Sequence, residues 1–158
     1  MSHALWALAG STALCLLGVG MVVPLLPLYA RQLGATGTQV GLLYGAFSLT
    51  RALSSPLAGR ASDRWGKRPL LCAAFGAYAL LGWGYARARA VAHLLAIRVV
   101  QGGASSLLLP LALAYVGELA PRGREGRYMG AFNVLLFVGF GLGPALGGLL
   151  AQPESHEQ

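Results

Sequence analysis

Two long apolar runs of the sequence are separated by the polar stretch Gly59-Arg60-Ala61-Ser62-Asp63-Arg64-Trp65-Gly66-Lys67-Arg68-Pro69-Leu70-Leu71. Only 11% of the 158 residues are charged, whereas about a quarter are charged in a typical soluble domain. We therefore interpret the flanking runs as membrane spans and the stretch as a tight turn between them. Gly59 and Gly66 would allow this turn a close backbone approach or a positive φ.

The apolar runs of the whole chain predict an all-α membrane protein with about five transmembrane helices. The sequence is 56% apolar, with a mean hydropathy of +0.61. About 20 apolar residues in helical conformation cross a hydrocarbon core about 30 Å thick. The runs are continuous rather than alternating, which favours helices over barrel strands. The predicted spans are about 4–29, 38–58, 69–86, 92–116 and 128–151, giving a transmembrane domain at 1–151 and a polar tail at 152–158.

The distribution of basic residues predicts how the spans are oriented, because cytoplasmic connections carry an excess of Lys and Arg. Seven basic residues lie in the connections after the second and fourth spans, and three lie in those after the first and third. The connections at 60–68 and 118–127 are therefore predicted to be cytoplasmic. We expect a multi-pass protein of the plasma or inner membrane, with a cytoplasmic N-terminus and the tail outside.

Other functional classes find little support in the sequence. The net charge of +7 falls into two short clusters between apolar runs, so we expect no nucleic-acid binding. His3, His93 and His156 are isolated, and no nucleophile or metal-ligand pattern accompanies them. Cys15 and Cys72 lie inside apolar runs without the spacing of a metal site. We expect no catalytic residue, no metal and no cofactor, and hence no enzyme.

The turn also carries a specific pattern of glycine, acidic and basic residues. The order G-x-x-x-D-R-x-G-[RK]-[RK] is matched by Gly59, Asp63, Arg64, Gly66, Lys67 and Arg68. A generic basic turn would explain the Arg and Lys residues but not the glycine and aspartate spacing. The pattern resembles the signature loop of the major facilitator superfamily.

That resemblance implies a gating cluster on the cytoplasmic side. Asp63 is expected to meet the N-terminus of a helix from the other half of the transporter, where the helix dipole is positive. Glu118, at the end of the fourth span, is expected to be a charge partner of Arg64 or Arg68. The alternative for Glu118 is a solvated surface acid.

The fourth span contains an arginine, which costs about 2.5–3.5 kcal/mol on insertion scales. Arg98, Gln101 and Ser105 are spaced by three and four residues and so share one helix face. One alternative is that Arg98 snorkels to the outer interface. The pattern R-x-x-Q-G resembles the fourth-helix motif of proton-coupled superfamily members, which implies a role in proton coupling for Arg98 and Gln101. Arg51, in the second span, is left open between snorkelling and pairing with Glu118.

The fifth span carries a ladder of glycines. The spacing G-x8-G-x3-G-P-x2-G is matched by Gly130, Gly139, Gly143, Pro144 and Gly147. Glycines four residues apart form a smooth ridge on which another helix can pack closely, and a packing seam is the simplest interpretation. The full spacing resembles the fifth-helix antiporter motif of drug:proton exporters, which implies export and multidrug resistance.

The resemblance implies a partial N-terminal six-helix half of the major facilitator fold. Such folds contain three-helix inverted repeats, so five spans are one unit and two-thirds of the next. The expected function is proton-coupled efflux of small molecules by alternating access, by a secondary active transporter or a truncated N-terminal part of one. Expected partners are the lipid bilayer, a small-molecule substrate, protons, and a missing C-terminal half or a partner subunit. The alternative is a non-transporting half-transporter fragment or an assembly or regulatory membrane protein.

Overall fold

The structure, a computed structural model, describes residues 3–150, with side chains described for residues 6–146. Its regular secondary structure is entirely α-helical, so the all-α, five-helix prediction is confirmed. The helices are α1, His3–Gln32; α2, Gly37–Trp65; α3, Lys67–Arg87; α4, Val91–Leu119; and α5, Glu125–Leu150. The predicted tail at 152–158 lies outside the described residues.

Four of the five helices, α1, α3, α4 and α5, are long and apolar enough to cross a membrane. The helix α2 has 29 residues, as many as α4, but it is less apolar. Its polar residues are not confined to the ends, because Ser48, Arg51 and Ser54 lie along its middle. Ser48 and Arg51 line a cavity inside the bundle, which accounts for polar residues in the middle of α2.

The helices extend beyond the predicted spans into the polar connections. The helix α2 continues through Trp65, so the predicted connection at 60–68 is reduced to Gly66, which has φ +79°. Gly59 is helical, and a Cβ placed there would meet nothing within 4 Å. The predicted special backbone role is therefore correct for Gly66 and wrong for Gly59. The predicted span was too short because the apolar run shows only where α2 crosses the bilayer. The helix itself continues through polar residues, which also favour helical conformation.

The α2 helix begins with a capping box. The Thr36 side chain accepts a hydrogen bond from the Gln39 backbone N–H at 3.3 Å, and the Gln39 side chain accepts one from the Thr36 N–H at 2.9 Å. These bonds satisfy donors that a helix N-terminus leaves without partners. Gly34, at φ +83°, allows the chain to reverse just before this cap.

The first close helix–helix contact joins α1 to α5, and we call it the α1–α5 seam (Gly20, Gly139 and Gly143). A Cβ at Gly139 would lie 2.7 Å from the Ala13 carbonyl oxygen. A Cβ at Gly143 would lie 2.7 Å from the Leu17 carbonyl oxygen and from backbone carbons of Gly20. Only a hydrogen fits at these positions, so the two backbones approach directly.

The second close contact joins α2 to α4, and we call it the α2–α4 seam (Gly102 against 47–51). A Cβ at Gly102 would lie 2.5 Å from the Phe47 carbonyl oxygen and 3.1 Å from the Arg51 backbone nitrogen. The next residue, Gly103, is in ordinary contact distance of Ser54 Oγ, at 3.7 Å. Gly102 therefore sets the separation between these two helices.

Apolar clusters close the bundle at both ends. The Gly66 end contains the connections at Gly66 and 120–124, and its cluster includes Leu8, Leu70, Leu111 and Phe132. The Thr36 end contains the connections at 33–36 and 88–90, and its buried residues are Leu26, Ala30, Leu43, Ala88 and Leu94. Polar groups are accommodated between these clusters, at the level of the seams.

Candidate functional site

Arg98 is the largest fully buried side chain among the described residues, with 2% of its surface exposed. It lies on α4, on the same face as Gln101 and Ser105, which are also buried. The side chain does not reach the surface of the protein, which argues against the snorkelling alternative. The structure therefore places a positive charge inside the bundle, where an uncompensated charge is costly.

A short hydrogen-bond network holds this guanidinium. Arg98 Nη1 donates to Gln101 Oε1 at 3.2 Å, and Tyr85 Oη donates to the same oxygen at 2.8 Å. The amide oxygen of Gln101 can accept two hydrogen bonds because it has two lone pairs. The network links α4 to α3 and fixes the position of the Arg98 head group.

Aromatic rings surround the remaining faces of the guanidinium. Its Cζ lies 5.5 Å from the centroid of Tyr44, 5.7 Å from that of Phe47 and 5.9 Å from that of Tyr85. Cations within about 6 Å of a ring centroid are attracted to its face. These contacts partly compensate the charge, but they do not supply hydrogen-bond acceptors.

Two donors of Arg98 remain without acceptors. Within the described residues, Nε and Nη2 are buried and have no hydrogen-bond partner. The acidic residues of the described part, Asp63, Glu118 and Glu125, all lie on the terminal turns or connections of the Gly66 end. No described carboxylate is therefore placed to neutralise Arg98.

A cavity of about 800 Å³ lies beside Arg98, between all five helices. It is lined mainly by apolar and aromatic side chains, including Phe47, Phe137 and Phe140. Its polar lining consists of Tyr44, Ser48, Arg51, Tyr78, Arg98, Ser105 and Asn133. Ligand sites in proteins have this volume and this combination of many apolar and few polar groups.

Arg51 lines the same cavity as Arg98. Pairing of Arg51 with Glu118, one of the two alternatives for this residue, is not observed, because Glu118 pairs elsewhere. Tyr44, Phe47 and Arg51 were not predicted to belong to the site. Their spacing of three and four residues, which places them on one face of α2, is the signal that could have done so.

A second, smaller cavity of about 350 Å³ lies between α1 and α3. Tyr85 and Gln101 line it, so the hydrogen-bond network separates it from the larger cavity at that level. Val19 and Tyr78 line both cavities. The two spaces are therefore divided by only a few side chains.

At the Gly66 end, Lys67 forms an ion pair with Glu118. The expected partners of Glu118 were Arg64 or Arg68, and this expectation is wrong. The reason is the one-residue turn: it places Lys67 at the start of α3, across from the last turn of α4. Asp63 is exposed and makes no hydrogen bond or ion pair within the described residues.

The glycines of α5 have different surroundings. Gly139 and Gly143 form the α1–α5 seam, and Pro144 lies beside Gly20 at this contact. A Cβ at Gly130 would meet nothing within 4 Å. Gly147 lies within α5 but outside the residues whose side chains are described. Gly139 and Gly143 therefore form a packing surface for α1, whereas Gly130 does not belong to it.

The sequence matches the profile of the Major Facilitator Superfamily over residues 8–154, nearly its whole length. The chain belongs to the major facilitator superfamily. This membership agrees with the helical bundle and identifies a multi-pass membrane protein. The family predicted from the sequence is thereby confirmed.

Two relatives illustrate the range of this similarity. The chain is 36% identical over 141 residues to an uncharacterized MFS-type transporter of Methanocaldococcus jannaschii, covering 89% of this chain and 36% of the relative. It is 29% identical over 152 residues to the quinolone resistance protein NorA of Staphylococcus aureus, covering 96% of this chain and 39% of the relative. The chain thus spans little more than a third of the length of these relatives.

Proposed function

We propose that the chain is the N-terminal portion of a secondary active transporter that exports small molecules by alternating access, driven by protons. The observation that carries this proposal is the buried guanidinium of Arg98 beside a large cavity within a superfamily bundle. Buried ionisable groups within spans are costly and commonly mark substrate or ion pathways. The quinolone resistance of one relative supports export.

The proposed orientation places the Gly66 end in the cytoplasm. Seven basic residues lie in the connection or on the adjoining helix turns of that end, and three lie in the corresponding positions of the opposite end. The N-terminus is then cytoplasmic. This orientation makes the Lys67–Glu118 pair and the neighbouring Asp63 a cytoplasmic cluster, as a gate on the inward side requires.

The proposed gate consists of the exposed Asp63 and the ion pair at the same end. A carboxylate on the last turn of α2 is free to meet the positive N-terminus of a helix from another part of the transporter. In that arrangement Asp63 stabilises the inward-closed state, and the Lys67–Glu118 pair holds α3 and α4 together beneath it.

The proposed coupling role of Arg98 depends on its unsatisfied donors. In this role, the guanidinium stabilises a nearby carboxylate in its charged form. When that carboxylate gains a proton, the contact weakens and the carboxylate is released. The described acids are Asp63, Glu118 and Glu125, all at the Gly66 end. The titrating partner is therefore one of these, brought closer by a conformational change, or a group outside residues 3–150.

Transport in everted membrane vesicles tests the proposal. Vesicles from cells that express the gene encoding this chain are loaded with acidic buffer and given a fluorescent quinolone outside. We expect accumulation that requires the acid lumen and is abolished by a protonophore. Accumulation that is insensitive to the protonophore would contradict proton coupling, and accumulation no greater than in vesicles without the gene would contradict export.

Two variants assign the residues in the same assay. Asp63→Asn and Arg98→Ala are expected to reduce gradient-driven accumulation at least about tenfold, a loss typical of breaking a charge-assisted contact. Arg89→Ala is the matched control, because Arg89 is exposed at the Thr36 end. Equal accumulation by all three variants and the unchanged protein would remove both assigned roles.

A further inference from the structure

We infer that the large cavity binds an aromatic organic anion, with a carboxylate held by Arg98 and Arg51. This inference rests on the proposed function, since it names the class of small molecule that the transporter takes. It depends on three features of the cavity: the sign of its charge, the geometry of the unsatisfied donors, and the nature of its apolar lining.

The charge of the cavity lining is positive. Arg51 and Arg98 both line it, and no described acidic residue does. The other polar groups, such as Ser105 and Asn133, are neutral. Arg98 is buried and Arg51 is exposed. In surroundings of low dielectric constant, the buried charge of Arg98 repels a cation and attracts an anion more strongly than it would in water, and Arg51 adds a charge of the same sign. A cationic ligand would add a third positive charge to this space.

The free donors of Arg98 match a carboxylate. Nη1 is occupied by Gln101 Oε1, whereas Nε and Nη2 are buried without partners within the described residues. These two nitrogens lie on one edge of the guanidinium and donate in parallel. That edge can donate one hydrogen bond to each oxygen of a carboxylate in a bidentate pair. The Gln101 hydrogen bond thus orients the guanidinium and leaves the carboxylate-binding edge free.

The rest of the lining favours an aromatic body. Phe47, Phe137 and Phe140 line the cavity together with Tyr44 and Tyr78. Aromatic side chains pack against aromatic rings in offset or edge-to-face arrangements that contribute beyond simple burial. A cavity of about 800 Å³ also falls in the usual range for drug-sized ligands. A fatty acid shares the carboxylate but has no ring to use these contacts.

Binding to the purified chain in lipid nanodiscs tests the inference with matched probes. The probes are 2-naphthoate, the neutral 2-naphthamide and the cationic 2-naphthylmethylammonium, measured by isothermal titration calorimetry. We expect naphthoate to bind at least about tenfold more tightly than the amide, since a charge-assisted pair contributes about that much, and the ammonium to bind most weakly. Decanoate, the lipid-like carboxylate, is expected to bind more weakly than naphthoate.

Variants connect the preference to the two arginines. Arg98→Gln and Arg51→Gln are each expected to reduce naphthoate affinity to near that of the amide, with little change in amide affinity. Arg98→Lys keeps the charge but lacks the two-donor edge, so it is expected to recover only part of the affinity. Arg89→Gln is the control and is expected to bind naphthoate like the unchanged chain.

Several outcomes would overturn the inference. It fails if the ammonium binds as tightly as naphthoate. It also fails if Arg98→Gln and Arg51→Gln both still bind naphthoate more tightly than the amide, provided that unchanged amide affinity shows that the site is intact. Equal or tighter binding of decanoate would assign the cavity to lipid-like acids. The proposed function fails separately: gradient-driven accumulation without naphthoate selectivity removes only this inference, and selectivity without gradient-driven accumulation removes only the transport proposal.

Discussion

The α1–α5 and α2–α4 seams use the same device, a glycine that lets a neighbouring backbone approach, but they differ in what lies beside it. At Gly139 and Gly143 the groups in closest contact are backbone atoms of α1. At Gly102 they belong to 47–51 of α2, a segment whose Phe47 and Arg51 side chains line the cavity next to Arg98. The same close packing therefore occurs in two different surroundings. What distinguishes the α2–α4 seam is the buried charge of Arg98 next to it.

The largest expected effect is on the α1–α5 seam. Gly143→Ala places a Cβ 2.7 Å from three backbone atoms, and backbone cannot move aside as a flexible side chain can. We expect the free energy of unfolding to fall by about 3 kcal/mol, the upper part of the usual cost of overpacking. Unfolding in mixed detergent micelles, followed by circular dichroism, measures this change.

The matched control is Gly130→Ala on the same helix, where a Cβ meets nothing within 4 Å. It should leave stability unchanged or raise it by up to about 1 kcal/mol, because alanine favours helix over glycine. Equal losses in the two variants would show that the seam contact is not the cause.

A slightly smaller effect on stability is expected at the α2–α4 seam. Gly102→Ala brings a Cβ to 2.5 Å from one carbonyl oxygen, with the next atoms at 3.0 and 3.1 Å, and we expect a loss of about 2 kcal/mol. It should also weaken naphthoate binding more than Gly143→Ala does. Gly102→Ala displaces the segment that carries Arg51, whereas Gly143→Ala displaces only apolar lining such as Phe140. Gly103→Ala, with its nearest atom at 3.7 Å, is the control. If Gly143→Ala and Gly102→Ala weakened binding equally, the functional distinction between the seams would be lost.

The third prediction concerns the buried charge itself. Arg98→Met removes a guanidinium with two unsatisfied donors and keeps an apolar side chain. Replacing a buried charge by an apolar group is often neutral or stabilising, so we expect stability to be unchanged or higher by about 1 kcal/mol. A loss above about 2 kcal/mol in the micelle assay would indicate that Arg98 has a structural role instead.

The smallest effect is expected at the Gly66 end. Glu118→Gln breaks the ion pair with Lys67. The Glu118 side chain is 56% exposed in this pair. Exposed ion pairs contribute between about 0 and 1 kcal/mol, so we expect a loss below 1 kcal/mol that shrinks further in high salt. A double-mutant cycle with Lys67→Gln measures the pair directly, and a coupling energy above about 2 kcal/mol would contradict this account.

The sequence predicted the number of helices because the length and apolar character of a bilayer-crossing helix are set by the hydrocarbon thickness. It did not predict their ends, since hydrogen bonding in α2 continues from Gly59 to Trp65 after the apolar run has finished. That extension shortened the turn to Gly66 and changed the partner of Glu118 from an arginine to Lys67. The number of charged residues in a connection does not show where the helix ends, and so it does not show which of them faces Glu118.

The site was predicted only along one helix. Spacing placed Arg98, Gln101 and Ser105 on one face of α4, and all three are buried. Tyr85 and Arg51 join them from α3 and α2, and no periodicity within a single helix shows which faces of two helices meet. The same limit applies to the glycine ladder. Its spacing does not distinguish Gly130, where a Cβ would meet nothing within 4 Å, from Gly143, where a Cβ would meet the backbone of α1.

The most direct test of the central claim measures stability and transport in one variant. Arg98→Met is purified to confirm its unfolding free energy, and everted vesicles containing it are given a fluorescent quinolone and an acid lumen. We expect unchanged or higher stability together with loss of gradient-driven accumulation. Accumulation equal to that of the unchanged protein would show that the buried guanidinium beside the cavity is not the functional centre.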